Sequence, residues 1–263
     1  MRKKKITSSS NLGIAVGFSF IVLGLIFLSF ILRILLLLGD SKFDGVNSFT
    51  VVTNQEKEGQ VINFSPQNQS ISILNVRDRE GQNLGMSLEI PIDGSFSSEE
   101  KVNGKNLSSI LSRNIFNFKD QKELNFMDFL RLSLFTNTVK STSIDEKTIS
   151  KETSAQTLAI LTSSFFVDSG ILDEKQNIEI INATDVYGLG NKLANLVTNI
   201  GGNVILVTTG NLMESSEIQY VNDTYTAKRL SQILNFKLVK TKKKSIPDVI
   251  IIVGKDSISS LKF

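Results

Sequence analysis

Cysteine and histidine are both absent from this 263-residue chain. Without cysteine no disulfide can staple the fold, and zinc sites built from Cys or Cys/His ligands are excluded. Without histidine the Ser-His and Cys-His catalytic pairs are excluded as well. Any enzyme here would need carboxylates, Lys, Arg or a metal held by oxygen ligands. An excess of one charge is lacking too: 29 Lys and Arg face 26 Asp and Glu, for a net charge of +3. The basic residues fall in separate clusters, MRKKK at the start and KTKKK at Lys240–Lys244. They form no single stripe, and nucleic acid is not an expected partner. Hydrophobic residues make up 41% and charged residues 21%, the balance of a folding sequence rather than a disordered one.

One long apolar run is present. Leu12–Leu38 reads LGIAVGFSFIVLGLIFLSFILRILLLL, with Arg33 as its single charge. About 20 apolar residues suffice for a helix to cross the hydrocarbon core. A signal peptide has an apolar region of only about 7–15 residues and a small-residue cleavage site. This run is longer and leads into GDSKFDG, so the sequence predicts an uncleaved transmembrane helix over residues 12–38. Arg33 lies near the end of the run, where its side chain can snorkel to the interface. Arg2, Lys3, Lys4 and Lys5 precede the run, in a basic tail over residues 1–11. Lys and Arg stay on the cytoplasmic side. The expected localisation is the cell membrane, single-pass, with the N-terminus cytoplasmic and the rest outside. A cysteine-free outside domain is ordinary for a bacterial envelope protein.

Residues 39–47 read as a linker, its Ser41–Asn47 part short and polar. A middle mixed α/β region is expected over 48–170. Strand patterns lie at Ser48–Thr53, Gly59–Ser65 and Ser70–Val76, the last two forming a hairpin around PQNQ. Gly85–Ile92 is expected to be a fourth strand. Leu107, Ile110, Leu111 and Ile115 recur at helical spacing. Phe126–Phe135, FMDFLRLSLF, reads as a buried helix or a helix on the membrane surface. Ser141–Thr153 is polar and reads as a loop or linker, and Ser154–Phe166 as a short helix.

The last domain is expected over 176–263. Ile178–Ile181, Asn203–Thr209, Ile218–Val221 and Asp248–Gly254 read as strands. Leu189, Leu193, Leu196, Val197 and Ile200 mark one helix face, stopped by Gly201-Gly202. Asn222 or Thr224 can cap a second helix, with Ala227, Leu230, Ile233 and Leu234 facing inward. The expected fold class is α/β (α+β): a transmembrane helix, the mixed middle region, and a small two-layer βαββαβ domain.

The stretch IEIINATDVYGLGNKLANLVTNIGGNVI runs from strand through glycines into helix. A dinucleotide fingerprint needs G-x-G-x-x-G and an acidic residue about 20 positions on. Gly188 and Gly190 are present, but Leu193 takes the third position and the second strand ends in TTGN. No nucleotide or other cofactor and no metal is expected. Asn182, Thr184 and Gly188 stand as the candidate binding residues, with turn and cap hydrogen bonds as their other reading.

The same stretch resembles the opening of the C-terminal domain of LytR-CpsA-Psr envelope proteins. That pattern is a strand, Asn-Gly-Thr, Gly-Leu-Ala, a helix ending before Gly, and a second strand. Here Ala183 replaces the Gly and Gly190 the Ala. TYTAKRLSQIL resembles the family's second helix, and DVIIIVGKDS its closing strand. The resemblance covers about Asn177–Ser257. It implies a wall-associated module of binding role with no established catalytic residues.

In the family's enzymes, arginines and aspartates hold a polyprenyl-pyrophosphate and a divalent metal; Arg suits phosphate and Asp suits Mg²⁺. VINFSPQNQSISILNVRD at Val61–Asp78 is similar in layout to their early hairpin, so the resemblance implies Arg77 and Asp78 as catalytic candidates of a shortened transferase. Val76 stands in place of their Pro, and no later motif of the pocket aligns. The leading expectation is a non-enzymatic, membrane-anchored envelope protein binding a cell-wall polymer or an envelope protein. The alternatives are a shortened glycopolymer transferase and a scaffold that uses Phe126–Phe135.

Overall fold

The computed structural model describes residues 10–39, 41–54, 58–77, 84–117, 123–242 and 246–260. The chain divides into two compact units, Met1–Ser41 and Lys42–Phe263. The first holds one helix, α1 (Ser10–Gly39). Its side chains are described at 13, 15–29, 31 and 32, and all of these are exposed. Among the described residues no helix is long and apolar enough to cross a membrane. The predicted span 12–38 extends past those side chains, and the basic tail Arg2–Lys5 lies outside the described residues.

The second unit contains two five-stranded sheets. In chain order its elements are β1 (Phe49–Asn54), β2 (Glu58–Ser65), β3 (Ser70–Arg77), α2 (Leu84–Leu88), β4 (Gly94–Ser97), α3 (Leu107–Asn114), α4 (Phe126–Thr138), β5 (Ile144–Ile149), α5 (Ala155–Phe165), α6 (Ser169–Glu174), β6 (Asn177–Asn182), α7 (Leu189–Asn199), β7 (Asn203–Thr209), β8 (Glu217–Tyr220), α8 (Tyr225–Leu234), β9 (Lys237–Lys240), β10 (Val249–Val253) and α9 (Ser257–Ser260).

The first sheet runs β4-β1-β2-β3-β5. Its hairpin closes with Ser65 opposite Ser70, around the predicted PQNQ turn. Alternation along the strands divides the apolar side chains between two faces. Val51, Ile62, Phe64, Ile71 and Ile73 pack with Leu107, Leu111, Phe129 and Leu132 of α3 and α4. Val52, Val61, Leu74 and Val76 pack with Leu84, Leu88 and Phe165. Helices therefore cover both faces.

Several expectations are corrected here. Gly85–Ile92 is no strand: its first residues belong to helix α2, and Glu89 takes φ +52 before Ile90 and Pro91. Leu84 and Leu88, one turn apart, bury the same face, so helical spacing overrides the β-like composition. The segment 141–153 contains strand β5, paired parallel with β3 despite its charged IDEKTI sequence. Its side chains are exposed from Asp145 to Thr148, as suits a sheet edge. Phe43, inside the predicted linker, is 1% exposed and belongs to the core. Its backbone N–H donates to Asp128 Oδ1 (2.9 Å), and its carbonyl accepts from Arg131 (2.8 Å).

The second sheet runs β7-β6-β10-β8-β9. Ile178, Ile180, Val249, Ile251 and Val253 pack with Leu193, Leu196, Val197, Leu230 and Leu234. β9 was not predicted. It inserts a seventh element, giving β-α-β-β-α-β-β in place of βαββαβ. It follows Asn235, whose φ of +55 closes α8 and turns the chain at once into extended backbone. KLVK has only two apolar residues, too few for an alternation signal.

Candidate functional site

In open α/β sheets, ligands favour the crevice beyond the carboxyl ends of parallel strands. β6, β7 and β10 are parallel neighbours, and their three following loops meet at one end of the second sheet. Backbone bonds stitch these loops together. Gly210 N donates to Asn182 O (2.9 Å), Met213 N to Ala183 O (2.9 Å), and Lys255 N to Met213 O (2.9 Å). Ala183 N donates to Val253 O (2.9 Å). Gly254 is required where the loops cross, since a Cβ there would stand 2.6 Å from the Ser215 backbone. Asp256 completes the crossing by accepting from Ser216 N (2.9 Å) and Ser216 Oγ (2.5 Å).

The candidate residues Asn182, Thr184 and Gly188 all lie in the first of these loops. Asn182 Oδ1 accepts from Thr184 N (3.1 Å) and Thr184 Oγ1 (2.7 Å), while Asn182 Nδ2 donates to Val186 O (2.9 Å). Thr184 Oγ1 in turn accepts from Val186 N (3.1 Å). The Asn and Thr side chains thus shape the loop by hydrogen-bonding to it. Gly188 is the N-cap of α7 at φ +80, a left-handed conformation that favours glycine.

What the three residues present to solvent is their neighbours. Tyr187 is fully exposed at 103%, Leu212 of the next loop is 61% exposed, and Val186 is 38% exposed. Tyr187 sits inside the quoted motif, but its exposure is a tertiary property that no local pattern marks. Lys255 pairs with Glu214 (2.7 Å) on the same end, and that hydrogen bond holds its ammonium above the ordinary lysine range.

Arg77 ends β3 and is exposed. Asp78 lies outside the described residues, so the Arg-Asp pair is located only through Arg77. Among the described residues, no group of three or more Asp or Glu side chains is gathered that could hold a metal ion.

A second constellation is marked by no sequence pattern. Arg229 of α8 is buried and reaches both halves of the second unit. Its Nε donates to Asp168 Oδ2 (3.2 Å), its guanidinium lies 3.8 Å from Asp93 Oδ2, and it donates to the Ser48 carbonyl. Tyr225 OH donates to Asp168 Oδ2 (2.8 Å), and Asp168 Oδ1 also caps α6 through Gly170 N (3.0 Å). Glu174 accepts from Tyr225 N (2.8 Å), Thr226 N (2.7 Å) and Thr226 Oγ1 (2.7 Å), satisfying the first donors of α8.

The electrostatics follow from burial and partners. Burial raises the Asp93 carboxyl above its ordinary range, and Arg229 and the Thr50 N–H only partly oppose it. Burial works against the Arg229 charge, yet Asp93 and Asp168 together hold it above the ordinary arginine value. Burial and the adjacent Asp168 raise the Tyr225 phenol strongly. For Glu174 burial pushes upward, but the Thr226 and Tyr225 donors prevail and lower it. Each of these side chains has its partners within the protein, and Arg229 ties α8 to Ser48, Asp93 and Asp168.

Residues 175–256 match the family model described as LytR cell envelope-related transcriptional attenuator, nearly a third of the 263-residue chain. No curated protein and no solved structure matches the chain.

Proposed function

We propose, from the premise that residues 175–256 form a LytR C-terminal domain of a cell-envelope-related family, that this chain is a single-pass envelope protein holding that domain outside the bacterial membrane as a non-enzymatic binding module. The family match is the observation that carries the reading. The membrane anchor is supported by the apolar run at Leu12–Leu38 and the basic residues before it. It is also supported by α1, where Phe18, Phe20, Leu23, Leu25, Ile26 and Phe27 are exposed at 59–71% around the helix. A helix apolar on all sides belongs either in a core or in lipid.

The loop end of the second sheet is the binding face in this reading, and its ligand is a wall polymer. Tyr187 offers a ring that can lie flat against a sugar, with the Lys255–Glu214 pair beside the same loops as polar partners. Full-length protein in detergent micelles should sediment with purified cell-wall sacculi. Tyr187→Ala should weaken that retention about tenfold, the loss of one stacked aromatic contact, without lowering the melting temperature. Equal retention of the variant would remove this face from consideration. Failure of the wild type to sediment would remove the wall polymer.

A further inference from the structure

The two sheets have four edges, and three are guarded. β5 carries Asp145, Glu146 and Lys147, all exposed. β9 is four residues long with exposed lysines at both ends, Lys237 and Lys240. β4 is also four residues long, and its Ser95 is bonded to Glu123 (2.8 Å). β7 differs from all of them. Its seven residues, NVILVTT, contain no charge and no proline. Ile205, Leu206 and Val207 are 44%, 48% and 37% exposed. Only β6 pairs with it among the described residues, so no described strand takes the backbone donors and acceptors of its other side. An apolar, uncharged edge of this kind is a template for another strand.

We propose that β7 is a dimerisation edge, pairing antiparallel with β7 of a second copy of this chain. The sequence is self-complementary. Ile205 is the extra residue of a bulge opposite Ile178 and Glu179, which blunts the start of the strand. Beyond it Leu206–Thr209 keep regular register with Glu179–Asn182. Two such runs reversed about Val207 place Val207 against its mate and Leu206 against Thr208. Val207 meets its mate on the face that carries α7, where Gly190 stands next to it, Leu206 meets Thr208 on the opposite face, and no charge opposes its like. The opposite edge argues for closure. β9 bears lysines, so head-to-tail addition of β7 onto β9 is disfavoured, and a two-fold pair uses up the one unguarded edge among the described residues. An extended segment of another protein would meet the same backbone groups, but nothing on that edge selects a foreign sequence, whereas its own sequence fits.

The lack of native cysteine makes the test direct. Single cysteines are placed at 205 to 209 of the full chain in detergent, one at a time, and oxidised mildly. Disulfide dimers should peak at Val207→Cys, because only residues facing their own copy approach within disulfide range. In parallel, Leu206→Lys with Thr208→Lys puts lysines opposite lysines on the solvent face. The dimer should weaken at least tenfold by sedimentation while circular dichroism is unchanged. Mixing that chain with one carrying Leu206→Glu and Thr208→Glu should restore a heterodimer. A wild type that stays monomeric overturns the proposal. So do crosslinks with no maximum along β7, crosslinks to a different protein, or a double-lysine variant with wild-type mass.

Discussion

At the scale of single residues, the buried charges set how stability responds to pH. Asp93 holds its proton to higher pH in the folded chain than its ordinary value of 3.8, because burial outweighs Arg229 and the Thr50 N–H. Folded protein therefore takes up this proton before unfolded protein does. Its contribution to stability grows as pH falls from neutral through the raised value, until the unfolded chain also protonates near 3.8. Glu174 runs the other way. Its lowered value contributes stability above the ordinary 4.5 that is lost as pH falls through the folded value. Asp93→Asn keeps an acceptor for the Thr50 N–H, leaves Asp168 as the carboxylate partner of Arg229, and removes the titration of Asp93. Its melting temperature should match or exceed wild type at pH 7, and wild type should gain on it progressively on acidification towards pH 4. Parallel profiles for the two proteins would show that Asp93 is not the source.

At the scale of elements, caps explain where helices begin better than composition does. α4 opens with a capping box. Asn125 Oδ1 accepts from Met127 N (2.8 Å) and Asp128 N (3.0 Å), and Asp128 Oδ2 accepts from Asn125 N (2.8 Å). Asp128 Oδ1 also receives the Phe43 N–H, so this carboxylate serves the helix and the core at once. Asn125→Ala should cost about 1 kcal/mol in denaturant unfolding. Asp128→Ala should cost about 1–3 kcal/mol more, since it also leaves the buried Phe43 N–H without its acceptor. Equal losses for the two variants would mean that the Phe43 contact adds nothing. The long apolar helices and alternating strands were legible because periodicity alone marks them, as in Ser70–Val76 and the Leu189 to Ile200 face. β4, β5 and β9 were not. GSFS, IDEKTI and KLVK lack apolar alternation, and each is a strand only because a neighbouring strand offers it a hydrogen-bonding edge.

For the second unit as a whole, Arg229 joins the family-matched residues 175–256 to segments that precede them in the chain. It draws together Ser48, Asp93 and Asp168 from segments far apart in the chain. Asn199 Nδ2 to Glu89 O (2.9 Å) and Gly170 N to Gln67 Oε1 (3.0 Å) add to the seam. Removing one partner of a buried ion pair strands the others. Arg229→Met should therefore cost about 3–5 kcal/mol, and it should broaden or split the unfolding transition as the two sheets lose their shared charge cluster. Arg229→Lys retains the charge but not the planar fork and should lose less. A single sharp transition with unchanged midpoint in the Met variant would show that the seam is held by other contacts.

The sequence by itself determined the local matters. Absent cysteine and histidine removed whole classes of chemistry. The spacing of apolar residues marked most helices and strands, and the motif series from Asn177 to Ser257 marked the LytR-type domain, which the family match bears out. Only the tertiary structure decided that Asn182 and Thr184 turn their side chains onto their own loop while Tyr187 stands in solvent. It also decided that Arg229, drawn in one-letter code like any surface arginine, is buried among carboxylates. The reason is physical. Periodicity reports which way a side chain points relative to its own backbone, whereas burial, partners and charge state depend on what arrives from distant parts of the chain.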